Sequence, residues 1–115
     1  MWAAGTIALV RFPQTDLVAG KLRPVLLLAR TPGRHGDWLI CMVSSQLHQA
    51  IDAFDEVVGD NDSDFAASGL KVPSVARLGR LAVVDEGVFA GPLGRVRDER
   101  IAAVRGRLAA WLARG

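Results

Sequence analysis

Apolar and polar positions alternate from Thr6 to Phe12, with Thr, Ala, Val and Phe on one face and Ile, Leu and Arg on the other, and this period of two predicts a first strand. Pro13 to Leu22 is rich in turn formers and reads as a loop. Pro24 to Arg30 and Asp37 to Ser44 are short apolar runs on either side of the Thr31-Pro32-Gly33 turn, which predicts a β-hairpin. The pattern from Ser45 to Ala53 does not decide between a helical turn and a departure from the sheet. Glu56 to Val58 reads as a brief strand before the acidic loop Gly59 to Asp64, with Ser68-Gly69 closing that loop. Val75 to Val84 is apolar with Arg77 and Arg80 interleaved, and Gly79 marks a bulge or bend, which predicts two short strands turning a barrel corner. Phe89 to Val96 contains Gly91-Pro92 and Gly94 and reads as loop with one strand residue pair. From Asp98 the period becomes helical. Ile101, Val104, Leu108, Trp111 and Leu112 fall on one face, Arg100, Arg107 and Arg114 lie off it, and Asp98 is the N-cap. The chain is therefore expected to be mainly β (α+β), with one amphipathic C-terminal helix packed on a small barrel and no repeat, linker or low-complexity tract.

Composition agrees with one core. The chain has 115 residues, 50% hydrophobic and 23% charged, the size and balance of a single domain covering residues 1–115. No uncharged stretch approaches the roughly 20 apolar residues that span a bilayer, and Met1 to Val10 has no basic leader, so neither a membrane nor a secretion segment is expected. Cys41 is the only cysteine, which points to a reducing, cytoplasmic setting without a disulfide. The net charge of +2 conceals an uneven distribution: residues 1–51 carry +3, 52–64 carry −6, 65–91 carry +1 and 92–115 carry +4. Twelve of the fourteen basic residues are Arg, whose planar fork suits phosphate or carboxylate. This balance reads either as a site for a polyanion or as a solvated surface.

The hairpin supplies one geometric expectation. With a turn over Thr31 to Gly36, Arg30 faces Asp37 and Arg23 faces Ser44, and opposed residues have Cβ atoms about 4.5 to 5.5 Å apart. A guanidinium and a hydroxyl at the open end of a hairpin can hold a phosphodiester, the Arg stabilising charge on a pentacoordinate phosphorus and the Ser donating to a non-bridging oxygen. Taken singly, an Arg before a strand is ordinarily a surface charge and a Ser ending one is ordinarily a turn residue, and one register slip separates them. Cys41, mid-strand, reads as a small buried hydrophobe, and His35 and His48 as isolated imidazoles. Asp60, Asp62 and Asp64 have the spacing of a calcium loop, but Phe65 stands where its glycine belongs and Lys71 where its bidentate Glu belongs, so no metal is expected. No Walker A, GxGxxG, GxSxG or HExxH pattern occurs.

The chain resembles the MazF/PemK family of type II toxin–antitoxin toxins. The likeness runs through Gly5-Thr6-Ile7 and Val10-Arg11-Phe12-Pro13, then Gly20-Lys21-Leu22-Arg23-Pro24-Val25-Leu26-Leu27 with its G-x-x-R-P motif, then Val43-Ser44-Ser45-Gln46. It continues through Pro73-Ser74-Val75-Ala76-Arg77-Leu78 and Leu93-Gly94-Arg95-Val96, nearly the whole chain. The resemblance implies a small SH3-like β-barrel of the MazF/CcdB type with a C-terminal helix, working as a homodimer. It further implies a ribosome-independent, metal-independent and cofactor-free endoribonuclease that cuts single-stranded mRNA. A cognate antitoxin with an acidic C-terminal segment would neutralise it. The family's active-site Arg and Thr or Ser map to Arg23 and Ser44 as catalytic residues, for a reaction giving 2′,3′-cyclic phosphate and 5′-hydroxyl ends. Lys21, Arg11, Arg30 and Arg77 are the expected phosphate contacts, with Gln46 and Trp38 contacting bases by hydrogen bond or stacking.

Two departures carry expectations of their own. Ser44 lacks the methyl with which the commoner Thr restricts its rotamer. The acidic stretch Asp60 to Asp64 is more negative than in many members and is expected to repel RNA locally. Two competing functions stay open on the sequence: a CcdB-like toxin that binds DNA gyrase, which would use an apolar C-terminal surface around Trp111, and a catalytically inactive barrel adaptor, which the acidic loop would favour.

Overall fold

The computed structural model describes residues 2–11, 21–33 and 35–114, so the predicted loop after Arg11 lies outside the described residues except for Lys21 and Leu22. Among the described residues the strands are β1 (Thr6–Arg11), β2 (Leu22–Arg30), β3 (Asp37–Ser44), β4 (Glu56–Val58), β5 (Ser74–Asp85) and β6 (Phe89–Arg95), with a one-turn helix α1 (Phe65–Ser68) and a C-terminal helix α2 (Asp98–Arg114). They form one antiparallel sheet in the order β4-β5-β3-β2-β1-β6, barrel-like but not closed by hydrogen bonds between its ends. Ser45 to Ala53, undecided from the sequence, leaves the sheet through a 3₁₀ turn over Leu47–Gln49.

The central strands are buried on both faces. Ile7, Leu26, Leu28, Cys41 and Val43 join Val58, Ala76, Leu78 and Val96 in one core, which Ile101, Val104 and Leu108 of α2 close. The alternate residues Ala8, Val10, Val25, Leu27, Trp38 and Ile40 make a second core, covered by Trp2, Met42, Ala82, Val84 and Phe89. Period-two side-chain direction divides the strands between the two cores. Double burial explains why β2 and β3 read as unbroken apolar runs.

The hairpin has the predicted register at its inner rungs, Val25↔Met42, Leu26↔Cys41 and Leu27↔Ile40. A bulge at Leu28 then shifts the pairing to Ala29↔Leu39 and Arg30↔Trp38, so Arg30 lies opposite Trp38 and not Asp37. The stretch expected as two short strands is the single 12-residue β5, in which Leu78, Gly79 and Arg80 are inserted between the rungs Met42↔Arg77 and Cys41↔Leu81. Phe89 to Arg95, expected to be mostly loop, is a full strand on β1. It lies at the sheet edge, where strands tolerate a proline such as Pro92.

Helix α1 was not expected; the residues before Ser68-Gly69 wind into one turn, and Gly69 ends it with φ +76°. Its backbone presses on β6. A Cβ on Gly94 would overlap the Ala67 carbonyl oxygen and lie 2.5 Å from the Ser68 carbonyl carbon. Gly94→Ala should therefore lower the unfolding free energy by about 2–3 kcal/mol. Gly106→Ala, where a Cβ meets nothing within 4 Å on exposed α2, should raise it by about 0.5–1 kcal/mol. Urea unfolding midpoints of the two variants must move in opposite directions.

The charge distribution resolves into an ion-pair network. Arg100, expected off the buried face of α2, is 4% exposed. Its Nε and Nη2 donate to the two oxygens of Asp64, Nη2 also to Asp62, and Nη1 to Glu56 and the Val57 carbonyl, at 2.7–2.9 Å. Arg97 pairs with Asp64, and Arg107 with Glu56. Two of the three carboxylates of the acidic loop, Asp62 and Asp64, are thus paired with the helix. Trp111 and Leu112, expected on the packed face, are 39% and 61% exposed. No helix among the described residues is long and apolar enough to cross a membrane.

Candidate active site

Arg23 is the second residue of β2 and pairs with Val10 of β1. On the other side the ladder reaches Val25↔Met42, and the same register continued by two residues opposes Arg23 to Ser44, the last residue of β3. Both line a cleft of about 800 Å³. Among the described residues its lining contains five basic ones, Lys21, Arg23, Lys71, Arg77 and Arg80, and no carboxylate. Ser44, Ser45, Gln46, Gln49 and Ser74 supply hydroxyls and amides, and Leu9, Pro24, Met42, Leu70, Val72 and Leu93 supply much of the apolar wall. Cations clustered on one concave surface concentrate positive potential there.

Ser44 Oγ accepts the backbone N–H of Gln46 at 3.0 Å. The bond fixes the side chain in an ST turn, supplying the restraint that a Thr methyl would have given, and leaves the hydroxyl hydrogen for donation. Arg77 is held from two sides: Nη1 donates to Gln49 Oε1 at 2.8 Å, and Nε lies 3.7 Å from Asp55 Oδ2. Lys21 and Gln46 are exposed at the cleft.

Three expected contacts lie elsewhere. Arg11 is exposed at the end of β1, opposite Leu22, and is not part of the lining. Arg30 is seven residues along β2 from Arg23, about 23 Å at the usual rise, and its guanidinium stacks 4.9 Å from the Trp38 ring centroid. Trp38 is 3% exposed, and its Nε1–H donates to Glu86 Oε2 at 2.9 Å. The same oxygen pairs with Arg30 at 2.7 Å. The Trp38 hydrogen bond, and then Arg30, hold the Glu86 carboxyl below its usual value. Arg30 and Trp38 thus tie the hairpin to the β5–β6 connection, and a buried indole has no face on which to stack a base.

Gln49, Lys71 and Arg80 are cleft residues that the sequence reading did not assign. Arg77 and Arg80 would face opposite sides of a regular strand, and only the insertion at Gly79 brings both to one cleft; that glycine was the available signal. Burial, with Asp55 adding to it, pushes the Cys41 thiol up to about 12, so it is no nucleophile. His35 and His48 are exposed and do not line the cleft. Among the described residues no three His, Cys, Asp or Glu side chains are grouped to hold a metal ion.

The fold and cleft together define a small, open β-barrel whose central hairpin ends in a basic concavity. Residues 3–112 match the model of the PemK-like, MazF-like toxins of type II toxin–antitoxin systems, and the chain belongs to that family. Solved structures agree in fold. The Mycobacterium tuberculosis toxin MazF-mt6 superposes with a TM-score of 0.67 at 17% identity, covering 94% of this chain and 96% of its own. An endoribonuclease in complex with its cognate antitoxin, from a mycobacterial species, does so with 0.67 at 16% identity, over 98% and 96%. MazF of Deinococcus radiodurans gives 0.66 at 24% identity, over 96% and 94%. No curated protein matches the sequence.

Proposed function

We propose that this toxin is an endoribonuclease that cuts single-stranded RNA at the Arg23–Ser44 end of the cleft, acting as a cytoplasmic homodimer until an antitoxin with an acidic C-terminal segment blocks it. The observation that carries the reading is the cleft, whose described lining brings together five basic residues, Arg23 among them, and the Ser44 hydroxyl, with no carboxylate. In the proposed reaction the ribose 2′-oxygen attacks the adjacent phosphorus as its proton leaves. The P–O5′ bond breaks and the 5′-oxygen takes up a proton, leaving 2′,3′-cyclic phosphate and 5′-hydroxyl ends. Arg23 stabilises the phosphorane charge as a hydrogen-bond donor; a guanidinium has no acceptor to offer and does not serve as the base. Ser44 donates to a non-bridging oxygen. Lys21, Arg77, Lys71 and Arg80 hold flanking phosphates, and Gln46 offers its amide to a base edge. The solved relative described as an endoribonuclease bound to its antitoxin supports both halves of the proposal. An acidic peptide in the cleft meets the same cations as RNA, so salt should weaken both.

The exposed Trp111 and Leu112 favour the alternative of a gyrase-binding toxin. The acidic loop no longer favours an inactive adaptor, because its carboxylates at Asp62 and Asp64 are paired with α2. Purified protein incubated with end-labelled RNA in EDTA, and separately with gyrase and supercoiled DNA, discriminates these readings. RNA fragments with cyclic-phosphate and 5′-hydroxyl ends are expected. Intact RNA together with inhibited gyrase would establish the binding toxin instead.

A further inference from the structure

We infer that Asp55, which does not line the cleft, is a positioning residue that holds Arg77 in place for a phosphate next to the one being cleaved; the inference rests on the RNA-cleaving reading of the same cleft. The Asp55 side chain is 1% exposed, so its charge must be met by protein groups. Oδ1 accepts the N–H of Leu78 at 2.9 Å, and Oδ2 accepts the N–H of Ile51 at 2.9 Å and faces Arg77 Nε at 3.7 Å. Each contact serves the cleft. Leu78 is the first of the three residues inserted into β5, so the carboxylate pins the irregularity that brings Arg77 and Arg80 to one lining. Ile51 follows the 3₁₀ turn that carries Gln49, whose amide oxygen holds Arg77 Nη1. Arg77 is thereby fixed by Nε and Nη1, while among the described residues Nη2 makes no hydrogen bond and remains for a ligand oxygen. Arg77 lies two residues from Val75, the partner of Ser44 across the β3–β5 ladder. That offset suits a neighbouring phosphate and not the reacting one.

The test is steady-state cleavage of a short single-stranded RNA by the full chain and by Asp55→Asn, Arg77→Ala, the double variant and Arg77→Lys, each with its unfolding midpoint. Asp55→Asn and Arg77→Ala should each raise KM by about five- to tenfold with kcat within about twofold, as expected for a contact to phosphate that is not specific to the transition state. The double variant should fall well short of the product of the two single effects, because Asp55 acts mainly through Arg77. Arg77→Lys leaves Asp55 and both its amide bonds in place. It should nevertheless raise KM almost as much as Arg77→Ala, because the charge is kept while the held Nε is lost. A Lys variant with wild-type KM overturns the inference, as does an Asp55→Asn effect that persists undiminished in the Arg77→Ala background. If Asp55→Asn fails to fold, the Lys variant decides alone. Anisotropy with a 2′-O-methyl oligonucleotide separates the two levels of the argument. Wild-type protein that binds the 2′-O-methyl oligonucleotide but leaves the unmodified RNA intact ends the nuclease reading, and the same variants then test Asp55 through Kd. Wild-type protein that neither binds nor cuts RNA overturns both.

Discussion

Arg23→Ala should slow cleavage of single-stranded RNA by about 10²- to 10³-fold, the loss usual for one group aimed at charge that develops in the transition state. The fall should lie in kcat more than in KM, because the guanidinium meets more negative charge on the phosphorane than on the ground-state diester. Arg23→Lys should recover only part of the rate, since an ammonium keeps the charge and loses the planar fork. The unfolding free energy of the same variant separates a loss of chemistry from a loss of fold. Ser44→Ala should cost about 10- to 100-fold in rate and about 1 kcal/mol in stability, the latter because Ser44 Oγ accepts the Gln46 N–H. Lys71→Ala and Arg80→Ala should behave differently, raising KM and flattening its salt dependence by about one phosphate contact each. Stopped-flow or gel-based single-turnover rates in EDTA, with urea unfolding on the same samples, check the series. A folded Arg23→Ala protein that cleaves at the wild-type rate would place the chemistry elsewhere.

The hairpin register from Val25 to Leu27 was legible in the sequence because a hairpin needs only a turn and two strand edges to fix it, and Thr31-Pro32-Gly33 and two apolar runs supplied them. The same arithmetic failed beyond Leu27, where a bulge inserts a residue and moves Arg30 from Asp37 to Trp38. A bulge of this kind leaves no trace in a run of Leu. Strand β6 was hidden for a related reason: Gly91, Pro92 and Gly94 are turn residues locally, and only their place at the sheet edge beside β1 makes them a strand. Charge was the least legible feature. The −6 segment and the +4 segment looked like two surfaces with opposite preferences, yet much of each is spent on the other. The cations that line the cleft come from other stretches, 21–23, 71 and 77–80.

Replacing Arg100 with Met should cost about 3–5 kcal/mol of unfolding free energy, a large share of the roughly 5–15 kcal/mol that holds a small domain together. The guanidinium has five N–H donors, and five hydrogen bonds go to Asp64, Asp62, Glu56 and the Val57 carbonyl. Met fills the space of the side chain and leaves Asp64, 5% exposed, with only the Arg97 amide and guanidinium at 3.0 and 3.2 Å. Arg100→Lys should recover less than half the loss, because three donors on one nitrogen cannot reach three carboxylates and a carbonyl together. Arg105→Met, on the exposed face of α2, should stay within about 0.5 kcal/mol. The pH dependence gives the sign. Hydrogen bonding by Arg100 holds the Asp64 carboxyl well below the usual range, and the Gly59 amide followed by Arg100 does the same for Asp62. A depressed carboxylate contributes its stability in full above its unfolded value of about 4 and loses it as pH falls toward the folded value. Wild type should therefore weaken between about pH 5 and pH 2, and Arg100→Met should weaken less, so the gap between them narrows on acidification. Urea titrations at about pH 7 and pH 3 measure that gap. A gap of constant size would mean that Arg100 stabilises the fold through its aliphatic stem, and not through the carboxylates gathered around its head.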